Sequence, residues 1–223
     1  MTYKISPSSL GILKECPRCF WLHVIKNFRR PENFFSTLPN RIDLMLKKRF
    51  DFYREKKELP PELKQYNLDV KLFSDKETLK IWRNNLKGIS CIDENSGVLL
   101  YGAVDEILQR ENKLIVIDFK TRGFDLKEHT ANLYKNRINL YNFLLRKNGF
   151  ETEDYSYLFF YIPEQIKESG EFIFKTNLVK VDISIKDAED TFQRAVNVLT
   201  NNIPKPNPNC RFCYWGKIVS LEV

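Results

Sequence analysis

The spacing of apolar residues changes along the chain, and each change marks an element. In "SPSSLGILKECPRCFWLHVIKN" the apolar residues Leu10, Leu13 and Phe20 recur at near-helical spacing, behind Ser6 as N-cap and Pro7 at the first helical position. Pro17 interrupts that helix and predicts a bend holding Cys16 and Cys19. Residues 42–57, "IDLMLKKRFDFYREKK", predict a second helix through Leu44, Phe50 and Tyr53, ended by Pro60 and Pro61. Residues 62–86 predict a short helix or a strand leading into a sheet. The period then falls to two: "KGISCID", "VLLYGAVDEILQ" and "LIVIDFKT", joined by turns at "ENSG" and "RENK", predict a three-stranded meander. An amphipathic helix, "TANLYKNRINLYNFLLRKNG", ends at Gly149. Two strands, "YSYLFFYI" and "FKTNLVKVDI", and a last helix, "KDAEDTFQRAVNVLTNN", lead to a Pro-rich tail read as a loop. This order predicts an α/β or α+β fold, a mixed sheet flanked by helices.

Composition narrows the class. With 223 residues and 43% apolar content the chain can bury a sizeable core. No run of 18 apolar residues occurs and the first residues lack a long apolar segment, so a cytoplasmic protein without a membrane partner is expected. A net charge of +7 suits a polyanionic partner. Five cysteines argue against a disulfide framework, and four of them, Cys16, Cys19, Cys210 and Cys213, form two C-x-x-C pairs, a metal-binding spacing. Cys91 lies in a strand pattern and reads as an ordinary buried thiol.

The strand "KLIVIDFKTRG" poses the central chemical question, because so apolar a run ends in Asp118 and Lys120. Alternation puts these two side chains on one face. Asp105, in the preceding strand pattern, comes beside Asp118 across the short turn, and Gly102 leaves room there for a ligand. Two neighbouring carboxylates repel unless a cation compensates, and an all-oxygen site favours Mg²⁺ or Mn²⁺, which can activate a water. Lys120 would stabilise the charge that builds up during attack. The plainer alternative is a salt bridge between Asp118 and Lys120 with Asp105 a bystander.

Together these segments resemble the RecB-like branch of the PD-(D/E)XK nucleases, which includes the CRISPR-associated exonucleases. The matching stretches are "SPSSLGILKECPRCFWL", "GAVDEIL", "VIDFKT", "RINLY" and "CRFCYW", in order over nearly the whole chain. The resemblance implies a restriction-endonuclease-like core whose N- and C-terminal segments meet. It further implies one domain over residues 1–223, with a helical part at 1–60, the catalytic sheet and helix at 85–185, and a helix and cysteine tail at 186–223. By the same resemblance Asp105 and Asp118 bind the metal, and Lys120 is the catalytic lysine with Thr121 next to it. Where the family usually has Q-x-x-x-Y, this chain has Arg137 and Tyr141, so a cation replaces an amide near the site. The early helix of active members often supplies a His or Glu to the metal; Asp43 and Asp51 are the substitutes here. Relatives with an iron-sulfur cluster commonly use one cysteine upstream and three downstream, whereas this chain has two and two, which fits either a [4Fe-4S] cluster or tetrahedral Zn²⁺ and staples the chain ends together.

Lys26, Arg29, Arg30, Arg41, Lys47, Lys48, Arg49 and Arg54 predict a basic surface, with Trp21, Phe28, Phe34 and Phe35 as candidates for stacking bases of a single strand. The expected activity is that of a Mg²⁺- or Mn²⁺-dependent deoxyribonuclease, exonuclease-like, acting on single-stranded or end-containing duplex DNA, with a helicase or DNA-processing complex as candidate partner. The alternative is a nucleic-acid-binding or structural module that keeps the fold without cutting.

Overall fold

The computed structural model describes residues 3–31 and 37–219. After β1 (Lys4–Ile5), Ser6 caps α1 (Pro7–Glu15) through a reciprocal box: its hydroxyl accepts from the Ser9 amide at 3.3 Å and the Ser9 hydroxyl accepts from the Ser6 amide at 2.8 Å. Pro17 opens α2 (Pro17–Ile25), so the predicted break is present, with Cys16 in extended backbone between the two helices. Next come α3 (Thr37–Glu55), α4 (Pro61–Lys64), β2 (Lys71–Leu72) and α5 (Lys76–Trp82). They are followed by β3 (Ile89–Ile92), β4 (Leu99–Gly102), β5 (Glu106–Arg110) and β6 (Lys113–Thr121). The chain continues through α6 (Asn132–Lys147), β7 (Tyr155–Ile166), β8 (Phe172–Asp182), α7 (Ile185–Thr200) and α8 (Arg211–Val219). The fold is mixed α/β with helices flanking the sheets.

The larger sheet runs β2-β5-β6-β7-β8, antiparallel except for the β6–β7 pair. Parallel neighbours need a crossover, and α6 provides it. β6 is buried on both faces. Ile115, Ile117 and Phe119 pack with Phe50 of α3 and Phe159 of β7, while Leu114 and Val116 pack with Leu140 and Leu144 of α6. The Phe50 and Phe119 rings lie 4.9 Å apart, and full burial of a phenylalanine such as Phe50 stabilises by about 1.5–3 kcal/mol. This two-sided packing explains the continuous apolar run of the strand, and it aims Asp118 and Lys120 to the α6 side.

Four expectations need correction. The meander has four strands rather than three, because "VLLYGAVDEILQ" breaks at residues 103–105: β4 joins a separate sheet ordered β1-β4-β3, and β5 joins the larger one. The break is held by the Val104 amide donating to the Trp82 carbonyl at 3.1 Å. Gly102 leaves no ligand space, since a Cβ there would stand 2.9 Å from Cε1 of Tyr141; the α6 ring fills that volume. The cysteine tail is helical from Arg211, although the prolines before it read as loop. In α3, Leu44 is exposed and Arg54 is buried, so Arg54 forms no part of a basic surface.

Candidate functional site

Acidic and basic side chains from α3, the β4–β5 link and β6 converge on one cleft. The β5–β6 register ends at Glu106 opposite Ile117, so the Phe119 amide has no β5 partner. The Asp105 carboxylate takes that place: Oδ2 accepts from the Phe119 amide at 3.0 Å, and Oδ1 faces Lys47 Nζ at 3.0 Å. Arg83 fixes the same residue from behind, its Nε donating to the Asp105 carbonyl at 2.9 Å. Lys47 also pairs with Asp43 at 2.7 Å, so its ammonium stands between two carboxylates. Lys47 is therefore turned into the cleft and is no part of the open basic face expected for it.

Asp118 is only 1% exposed. Its Oδ2 is paired with the Lys120 ammonium. Lys120 Nζ further donates to the Phe119 carbonyl at 3.1 Å and sits 5.0 Å from the centre of the Tyr134 ring. Burial, helped by Arg137 and Lys47, pulls the Lys120 ammonium down to about 8 against the opposing pull of Asp105 and Asp43. Burial and then the neighbouring Asp105 charge push the Asp43 carboxyl above its usual range. For Lys47, burial is outweighed by Asp105 and Asp43, which hold it above the ordinary lysine value.

Tyr141 is buried, and burial pushes its phenol up to about 12. Arg137 stays at the rim, donating to Ser8 Oγ at 3.1 Å and tying α6 to the first turn of α1. Asp51 does not join the cleft; it accepts from Arg83 at 2.7 and 2.9 Å and from Arg54 at 3.0 Å. Of the two proposed substitutes for the missing early ligand, then, Asp43 joins Asp105 through Lys47 and Asp51 turns to a structural network. That network centres on Glu106, a fully buried carboxylate paired with both Arg54 and Arg83. Sequence reading missed Glu106, Arg83 and the inward turn of Lys47; the Asp-Glu doublet after "GAV" was the available signal.

The two cysteine pairs meet. Sγ–Sγ separations are 3.8 Å for Cys16–Cys213, 3.6 Å for Cys19–Cys210 and 3.5 Å for Cys19–Cys213, and all four sulfurs lie within 4.8 Å of one another. These four cysteines can hold a metal ion. Burial alone would raise the Cys16 thiol, but the Asn207 and Cys19 amides outweigh it and bring it down to about 7, while burial pushes Cys19 and Cys213 up. Cys91 is half-buried and apart from the cluster. Beside the cluster a cavity of about 600 Å³ is lined by Arg18, Phe28, Arg29, Phe212 and Trp215, with Phe28 and Trp215 strongly exposed. Trp21 instead donates to the Asn201 carbonyl at 3.1 Å. Phe34 and Phe35 lie outside the described residues.

The mixed α/β fold with helices flanking the sheets agrees with the family to which the sequence belongs. The family model of the PD-(D/E)XK nuclease superfamily matches residues 4–218, and the chain belongs to that superfamily. Among solved structures, the crystal structure of SSO0001 is similar at 15% identity over 99% of this chain and 87% of that one, with a TM-score of 0.40. No curated protein matches. Membership points to a hydrolase acting on nucleic acid, in a superfamily whose nucleases use divalent metals. Among the described residues no helix is long and apolar enough to cross a membrane.

Proposed function

We propose that this chain is a RecB-like, Mg²⁺- or Mn²⁺-dependent deoxyribonuclease that degrades DNA from ends. The observation that carries the proposal is the grouping of charges around the end of β6: the buried Asp118 carboxylate paired with Lys120, and Asp105 on the neighbouring Phe119 amide, joined through Lys47 to Asp43. Carboxylates held this close repel one another unless cations compensate, and a hard cation with oxygen ligands does so. Asp105 and Asp118 would hold a divalent ion there, with Asp43 joined to Asp105 through Lys47. When bound, the ion supplies neutralisation of the phosphodiester and lowers the pKa of a water so that it can attack.

The chain's own groups account for the rest. The Phe119 amide and Arg83 fix Asp105, so this ligand needs little reorganisation. Lys120, held by Asp118 and the Tyr134 ring, places a positive charge where the phosphorane-like charge develops. Lys47 keeps Asp43 and Asp105 from repelling each other and offers a second cation to the phosphate. Arg137 takes the place of the usual amide as a phosphate contact at the rim. Exposed Arg29, Arg41 and Lys48, with Phe28 and Trp215 as stacking faces, form the track for a single strand.

End dependence is tested by comparing linear and covalently closed circular DNA, single- and double-stranded, with Mg²⁺ or Mn²⁺. Linear DNA is degraded and closed circles persist. Equal cutting of circles would overturn the exonuclease assignment.

A further inference from the structure

The two C-x-x-C pairs come from opposite ends of the chain, Cys16 and Cys19 from the α1–α2 break and Cys210 and Cys213 from the start of α8. We propose that they form a tetrahedral site for one Zn²⁺ ion, and that this site is too small for a [4Fe-4S] cluster. The inference stands on the four sulfurs and does not depend on the nuclease assignment.

Size decides between the two. Zinc–thiolate bonds of about 2.3 Å at tetrahedral angles put neighbouring sulfurs about 3.8 Å apart. The observed separations of 3.5, 3.6 and 3.8 Å match that edge. In a cubane each thiolate binds a different iron and points outward, so the four sulfurs must surround four irons and four sulfides. Even a regular tetrahedron expanded to the 4.8 Å upper bound has its centre about 2.9 Å from each sulfur, one metal–sulfur bond and little more. With each iron one such bond inside its thiolate, all four irons would fall within about 0.6 Å of a common point, which their own radii forbid. The pocket holds one ion.

The surroundings suit a thiolate site. Four thiolates around a divalent ion leave a net negative charge, and the groups nearest the sulfurs are donors: the Asn207 amide 3.4 Å from Cys16 Sγ and Arg30 Nη2 4.0 Å from Cys210 Sγ. Arg30 is itself anchored by Glu15 and by the Phe212 ring, 4.5 Å from its guanidinium carbon, and Asn207 Nδ2 donates to the Glu15 carbonyl at 2.8 Å. Soft, four-coordinate and without redox demands, Zn²⁺ is the ion such an S₄ site selects.

The test is metal analysis and absorbance of the full chain, purified anaerobically from cells supplied with both iron and zinc, followed by exchange to Co²⁺ and by anaerobic reconstitution with iron and sulfide. The expected protein is colourless with one zinc per chain. Its cobalt form shows the intense visible bands of a tetrahedral thiolate site, and reconstitution builds no cluster. A Cys16→Ser, Cys213→Ser double variant loses the zinc; should that variant not fold, the cobalt spectrum of the unaltered chain still decides. A brown protein with four irons and sulfide, a single iron, or no bound metal and no cobalt spectrum would each overturn the proposal.

Discussion

Lys120→Ala lowers DNA cleavage by about 10²–10³-fold, the loss that follows removal of one group aimed at developing charge. The substitution deletes the only cation paired with Asp118 among the described residues and leaves that buried carboxylate facing empty space. Two readouts separate chemistry from folding. The variant still binds Mg²⁺, because Asp105 and Asp118 remain, and it gains more thermal stability from Mg²⁺ than the unaltered chain does, because the ion becomes the only compensating charge at Asp118. Lys120→Arg does not restore the rate, since a planar guanidinium cannot occupy the point position of an ammonium. Single-turnover cleavage and melting curves with and without Mg²⁺ check both statements; retention of near-normal rate in Lys120→Ala would remove the lysine from the chemistry.

The second large effect lies behind the cleft. Glu106 is fully buried and carries both Arg54 and Arg83, of which Arg54 is itself nearly inaccessible. Arg54 also donates to the Phe73 carbonyl at 2.7 Å, and Arg83 to the Asp105 carbonyl. Glu106→Gln keeps the shape and removes the charge, leaving buried Arg54 and half-buried Arg83 on a neutral amide with only the half-exposed Asp51 as their carboxylate. Breaking a buried pair in this way costs about 3–5 kcal/mol, which for a chain of this size lowers Tm by roughly 10 °C. Cleavage falls as well, because Arg83 loses one of the two carboxylates, Glu106 and Asp51, that orient it on the Asp105 backbone. Thermal unfolding followed by circular dichroism measures the first effect; a change of under 1 kcal/mol would show that the network is replaceable.

Much of the cleft was legible because it follows from local rules. Period-two alternation places Asp118 and Lys120 on one face, and the short β5–β6 turn brings Asp105 to their level. The break at Pro17, the helix α6 and its stop at Gly149, with a φ of 81°, are likewise local. What was not legible depends on partners distant in sequence. Asp43 and Asp51 are equivalent in α3 by composition, but eight residues turn them about 80° apart around the helix axis, and only packing decides which faces Asp105. Arg54 and Lys47 look like surface charges until Glu106 and Asp105 arrive from β5 and the link before it. Gly102 reads as ligand space until Tyr141 fills it. The strand break at residues 103–105 needed Trp82 to accept from Val104, a contact no periodicity encodes.

The account's central claim is that Asp118 is a ligand of a catalytic divalent ion. It is tested most directly by titrating Mg²⁺ into the unaltered chain and into Asp118→Asn while following cleavage of end-labelled DNA by each. Mg²⁺ binding and cleavage that a chelator abolishes, and that Asp118→Asn loses together with its fold intact, is the result expected. Cleavage that persists in Asp118→Asn or in chelator, or DNA binding without any cleavage by the metal-replete chain, would contradict the claim and leave a nucleic-acid-binding module in its place.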